Sequence, residues 1–196
     1  GPGYRADKGG NPLAAGGFSA SNVIMVSWLT LGDFGEPSEA NDCWGYVSPS
    51  GREYAIVCFL EIGTSFVEIT NPGSPVILDT IDGNDSTWRD AKVYGDYCYV
   101  VTESAGGIQV IDMSDIDNGN VTLVNTILEG DSNNSHNVAI DTDSGYLYRC
   151  GGSGHGLRIY DLNSDPVDAP RVGAWEDRKV HVPQNVDMQS GPHAGK

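Results

Sequence analysis

The sequence predicts an all-β fold, a β-propeller built of four-stranded antiparallel blades, and three observations predict it. A unit of sequence recurs three times, each copy reads as short alternating strands between turn residues, and no stretch carries an apolar helical period of useful length. Glu53-Tyr-Ala-Ile-Val-Cys-Phe-Leu-Glu61 leading to Phe66-Val-Glu-Ile-Thr70 is echoed by Asp96-Tyr-Cys-Tyr-Val-Val-Thr-Glu103 leading to Val110-Ile-Asp-Met-Ser114. A third copy runs from Gly145-Tyr-Leu-Tyr-Arg-Cys-Gly151 to Ile159-Tyr-Asp-Leu-Asn163. Tyr54, Tyr97 and Tyr146 lie 43 and 49 residues apart, a period in the range of propeller blades.

Each copy divides into four strands rich in Val, Ile and Tyr. The expected strands are 42–47, 54–60, 65–69 and 75–81 in the first copy, 88–94, 97–103, 107–113 and 121–128 in the second, and 136–140, 146–150, 157–162 and 171–175 in the third. The blades therefore span about 41–81, 88–128 and 135–175, with the third strands ending at Ile69, Met113 and Leu162. Residues 22–29 read as an outer strand of a preceding unit, and another unit starts near 180. Propellers close with four to eight blades, so three complete blades plus flanking strands are expected to be part of a larger ring completed by further residues or by neighbouring copies. Residues 1–20 read as a flexible leader, since 1–17 hold six glycines and two prolines, and residues 21–196 as the propeller domain.

With 27 acids against 11 Lys and Arg, the net charge is -16, which repels nucleic acid and anionic membrane. No apolar run approaches the roughly 18 residues needed to span a bilayer. No signal peptide is recognisable, so a secretion signal is expected to have been removed or to lie outside this sequence.

The four cysteines admit a geometric test. With Pro49-Ser-Gly-Arg52 as the loop of the first hairpin, Ser48 faces Glu53 and Cys43 falls opposite Cys58. A cross-strand disulfide is then feasible, stabilising by roughly 3 kcal/mol through loop closure and implying an oxidising compartment. The alternative is that both are small buried hydrophobes. Cys98 and Cys150 sit in different blades and are expected to be free, buried thiols.

Several stretches carry a family resemblance: Asn41-Asp-Cys-Trp-Gly-Tyr46, Gly51-Arg-Glu-Tyr-Ala-Ile-Val57, Gly63-Thr-Ser-Phe-Val-Glu-Ile69, Ser86-Thr-Trp-Arg-Asp-Ala-Lys-Val-Tyr94, Ile108-Gln-Val-Ile-Asp112 and Ser135-His-Asn-Val-Ala-Ile140. In order and spacing, over about residues 20–196, the chain resembles the choice-of-anchor B family, whose members carry LVIVD-type repeats. The resemblance implies a secreted or surface-displayed bacterial β-propeller attached by varying C-terminal anchors, and implies little chemistry. Family members are longer than this chain. They usually carry cysteine where this sequence has Ser19 to Ser21, and an Asp after the His of the fourth opening strand, where His181-Val-Pro183 stands here.

The opening strands hold the one constellation that reads as a site. Their alignment stacks Asn41-Asp42, Arg89-Asp90, His136-Asn137 and His181-Val182, and first strands of blades line the central channel. Asp42, Asp90, His136, Asn137 and His181 could then hold a hard cation, with the mixed carboxylate, amide and imidazole set suiting Ca²⁺ or another divalent cation such as manganese. Such residues equally cap loops or bond the backbone of the next blade, and Arg89 could neutralise Asp90 in place of a metal.

Other motifs read as structure. Asp141-Thr-Asp-Ser-Gly145 begins like a calcium loop but lacks the distal Glu and sits between strands, as a hairpin turn does. Gly151-Gly-Ser-Gly-His-Gly156 has no following helix and is no phosphate loop. Asn84-Asp-Ser86, Asn120-Val-Thr122 and Asn133-Asn-Ser135 are glycosylation sequons. No Gly-x-Ser-x-Gly elbow or His-Glu-x-x-His pair is present.

Two functional classes follow. The first is a non-enzymatic extracellular or cell-surface module for binding, adhesion or assembly, whose partner is a carbohydrate, matrix component, protein or copy of itself, met near Trp44, Trp88 and Trp175. The second is a secreted metal-dependent hydrolase or lyase with its site at the axial rim. The lack of a catalytic motif favours the first.

Overall fold

The computed structural model describes residues 4–5, 24–129, 133–152, 156–177 and 180–181. Strands β1 (Tyr4–Arg5) and β2 (Ile24–Met25) pair as a short antiparallel ladder. The first four-stranded sheet is β3 (Ala40–Val47), β4 (Glu53–Phe59), β5 (Thr64–Glu68) and β6 (Val76–Ile81). The second is β7 (Arg89–Tyr94), β8 (Tyr97–Thr102), β9 (Ile108–Asp112) and β10 (Thr122–Ile127). The third is β11 (Asn137–Asp141), β12 (Tyr146–Cys150), β13 (Leu157–Asp161) and β14 (Arg171–Trp175). Within each sheet consecutive strands pair antiparallel in chain order, and the first strands lie side by side, β3 against β7 and β7 against β11.

Alternation along the strands builds the two cores. On β8, Cys98 and Val100 point toward the first sheet, where they join Tyr54, Ile56, Cys58 and Phe66. Tyr99 and Val101 point the other way and join Val138, Leu147 and Tyr160 of the third sheet. A middle strand buried on both faces has to be apolar at every position, and the Tyr-Cys-Tyr-Val-Val run of β8 meets that demand.

The third strands end at Glu68, Asp112 and Asp161, one residue before the expected ends in every copy. The next amide in each case still donates back across the hairpin: Ile69 N to Glu53 O at 2.8 Å, Met113 N to Asp96 O at 2.8 Å and Leu162 N to Gly145 O at 2.9 Å. The repeat is therefore kept to the level of single hydrogen bonds.

The expected Cys43–Cys58 disulfide is overturned by the register of the first hairpin. Val47 pairs with Glu53 and Ser48 N donates to Arg52 O at 2.9 Å, so the loop is Pro49-Ser50-Gly51, one residue shorter than assumed. Gly51 takes φ +88°, as the last residue of a three-residue hairpin loop does. A slip of one residue sends a side chain to the other face of the sheet. Cys43 thus pairs with Val57 and is exposed, Cys58 pairs with Asp42 and is buried, and all four cysteines are free thiols.

Residues before β3 lie over the outer face of the first sheet. The ring of Phe34, in a short 3-10 turn (Leu31–Phe34), packs on Phe59 with centroids 4.8 Å apart, and Ser27 Oγ donates to Pro72 O at 2.6 Å. The outer strand expected over 22–29 reduces, among described residues, to Ile24–Met25 paired with Tyr4–Arg5 rather than with another sheet. Most of the expected leader and the strand expected after 181 lie outside the described residues.

A thiol reagent added to the native protein should titrate one cysteine, Cys43, promptly. Burial pushes the thiols of Cys58 and Cys150 up to about 12 and that of Cys98 well above its ordinary value. Denatured without reductant, the chain should expose four thiols; finding two would restore the disulfide and contradict this register.

Candidate functional site

The antiparallel order brings the starts of β3, β7 and β11, and the segments joining β6 to β7, β8 to β9 and β10 to β11, to one end of the sheets. All five sequence-predicted metal residues lie at this end, but they divide into two groups with different chemistry.

The first group ties the sheets together. Asp42 Oδ2 accepts from Ala91 N at 3.2 Å, and Asp90 Oδ2 accepts from Val138 N at 2.8 Å and from Asn137 Nδ2 at 2.6 Å. Each aspartate reaches the amide one residue past its own counterpart in the next sheet. Lys92 Nζ pairs with Asp90 Oδ1 and sits 4.3 Å from the ring centroid of Trp44. The acceptors of Asp90 are thus taken by protein donors, and the set Asp42, Asp90 and Asn137 works as an inter-sheet clasp. Arg89 does not neutralise Asp90: Nε bonds Phe59 O at 3.2 Å and Nη2 bonds Asn84 O at 2.7 Å. Burial of its guanidinium lowers the Arg89 pKa from its ordinary value.

The second group holds the histidines. His136 Nδ1 lies 2.7 Å from Glu103 Oε1, and the rings of His136 and His181 lie with centroids 3.8 Å apart, tilted 30° to one another. Among the described residues, Glu103, His136 and His181 are close enough to hold a metal ion together. The segment carrying His136 is firmly placed. Ser135 N donates to Thr102 O at 2.6 Å, His136 N to Cys150 O at 3.0 Å, and the buried Arg149 reaches Ser135 Oγ and, at 3.1 Å, Asn134 O. Glu129 sits between the second and third sheets, accepting from Tyr160 Oη at 2.9 Å and pairing with Arg158 at 3.2 Å and Arg171 at 2.7 Å. Sequence reasoning missed Glu103 because it aligns with Leu60 and Gly152, outside any repeated polar column. A lone acid in such a column was the available signal.

Beside Glu103 lies a polar cleft of about 700 Å³, walled by residues 82–85 on one side and 105–107 on the other. Asn84 Nδ2 bonds Ala105 O, and Gln109 Nε2 donates to Asp82 O at 2.8 Å, so the walls are fixed to each other. Beneath Gly83 lie two buried atoms with no hydrogen-bond partner, Arg89 Nη1 and Gln109 Oε1.

No family model matches the chain, and no curated protein matches it. Among solved structures it is similar to a candidate 6-phosphogluconolactonase from Bacteroides uniformis, with a TM-score of 0.55 and 18% identity over 86% of this chain and 51% of that one. The chain therefore spans about half the length of that neighbour, and the likeness speaks to fold alone. A protein of unknown function from Desulfotomaculum acetoxidans gives a TM-score of 0.47 at 17% identity, covering 73% of this chain and 45% of that one.

The clasp has a pH signature. Burial, and then the neighbouring Asp90 carboxyl, raise the Asp42 pKa above its ordinary value. A raised folded-state pKa contributes stability that is complete below the unfolded value and is lost as pH rises through the folded one. Asp42→Asn imitates the protonated form at every pH. Relative to that variant, the native chain should gain stability on acidification from neutrality toward about pH 4, measured by urea unfolding of both proteins. A difference that stays constant, or moves the other way, contradicts the assignment.

Proposed function

We propose that the three sheets are blades of a β-propeller and that the chain is a non-enzymatic extracellular or cell-surface module for binding, adhesion or assembly. The resemblance to the choice-of-anchor B family supports this reading, and the observation that carries it is the cleft between the first and second blades. Its volume of about 700 Å³ falls within the range of small-molecule sites. Its walls offer the Asp82 and Asp85 carboxylates and the Thr126 hydroxyl beside the exposed aliphatic side chain of Leu128. Acceptors outnumber donors there, and the carboxylates repel anions. The ligand class that fits is a neutral carbohydrate, whose hydroxyls donate to such acceptors while a C–H face rests on Leu128. Trp88, half exposed at the same end of the sheets, offers a further stacking face.

The alternative, a secreted metal-dependent hydrolase or lyase at the axial rim, is favoured by the proximity of Glu103, His136 and His181. Metal-stimulated turnover of a substrate, lost in His136→Ala, would select it.

Neutral oligosaccharides screened on an array and then titrated calorimetrically test the binding reading. A captured glycan should bind the native chain and lose about tenfold or more in affinity in Thr126→Val and Asp85→Ala, since a hydrogen bond left unmade in a bound complex costs about 1–3 kcal/mol. Capture of none, or affinity indifferent to both substitutions, rejects the cleft as the site.

A further inference from the structure

Three ligand-bearing side chains from three separate stretches of chain converge beside Trp88. Glu103 follows β8, His136 precedes β11 and His181 lies beyond β14, and one ligand atom from each falls within 4.8 Å of the others. Two donors on one zinc ion at about 2.1 Å stand roughly 3.4 Å apart in tetrahedral geometry and about 4.2 Å apart at most. The ligand atoms would therefore draw together by roughly 1 Å on binding.

The approach of the two histidines is built into the backbone. Gly151 occupies the column that holds Phe59 in the first copy and Thr102 in the second. It takes φ +70°, and a Cβ there would fall 2.6 Å from His136 Cβ and 3.1 Å from His181 O. Cys150 Sγ donates to that same carbonyl at 3.0 Å, fixing the backbone of His181 over the third sheet. The third copy thus gives up a side chain and gains room for a tilted imidazole pair with ring centroids 3.8 Å apart, one of them 2.7 Å from the Glu103 carboxylate.

We propose that Glu103, His136 and His181 form a binding site for one divalent cation of the imidazole-preferring class, Zn²⁺ foremost. Two imidazoles and one carboxylate suit zinc and its borderline neighbours, whereas Ca²⁺ takes six to eight oxygens. Three protein ligands leave a fourth tetrahedral position for solvent or a ligand oxygen, the pattern of reactive rather than purely structural zinc. The net charge of -16 enriches cations around the chain. Binding would also tie the stretch that carries His181 to the junction of the second and third sheets. None of the three ligands lines the carbohydrate cleft, so the two sites can be tested separately.

Zn²⁺ titrated calorimetrically into the intact chain at neutral pH should give one ion per chain and raise the thermal unfolding midpoint. His136→Ala and His181→Ala should each weaken binding by on the order of 100-fold, and Glu103→Gln by about tenfold or more. Asp115→Asn, an acid away from the site, should bind as the native chain does. Co²⁺ gives a second readout that needs no variant: a visible spectrum of four-coordinate intensity on the native protein supports the site, and the spectrum of the hydrated ion overturns it. Failure of the folded native chain to bind Zn²⁺ at about 1 mM, or undiminished binding by the double histidine variant, also overturns it.

Discussion

Two carboxylates, Asp42 and Asp90, hold neighbouring sheets to one another. Each accepts a main-chain N–H from the first strand of the following sheet, Ala91 for Asp42 and Val138 for Asp90. Side-chain packing between sheets is non-directional and tolerates sliding, whereas a hydrogen bond to a single amide does not. In a site shielded from water such bonds strengthen, and a buried carboxylate without them is costly. Asp90, with Val138 N, Asn137 Nδ2 and Lys92 Nζ around it, is satisfied on both oxygens. The two apolar cores between the sheets come into alignment because these first strands are aligned. In the aligned sequence, the next acceptor position holds Asn137 and the next donating position Pro183, a residue with no N–H to give.

The repeated columns of the sequence carried the architecture, because period-2 alternation and turn residues state where strands begin and which face they bury. Tyr54, Tyr97 and Tyr146 mark the start of each second strand, or lie one residue inside it, as their alignment implied. What alternation does not state is loop length at single-residue resolution. Pro49-Ser-Gly-Arg52 reads as four loop residues, yet Gly51 accepts a left-handed conformation that returns Arg52 to the ladder. That one residue sends Cys43 outward and Cys58 inward.

The candidate site was legible in half. The polar pairs at the strand starts do gather at one end, as their stacking suggested, but Asp42, Asp90 and Asn137 spend their hydrogen-bonding capacity on the backbone and on each other. The histidines turn instead toward Glu103, which belongs to no repeated column. Gly151 shows the same logic from the other side, since it breaks a column that holds Phe59 and Thr102 and thereby opens the space the histidines fill. In a repeat array the shared columns build the scaffold, and departures from them are where chemistry specific to one position is found.

The claim on which this account rests is that one aspartate fixes one inter-sheet junction. Amide hydrogen exchange at Ala91 and Val138, followed in the native chain and in Asp90→Ala, tests it most directly. The account predicts that Val138 loses its protection in the variant while Ala91, held by Asp42, keeps it. Val138 exchanging as slowly in the variant as in the native chain would contradict it.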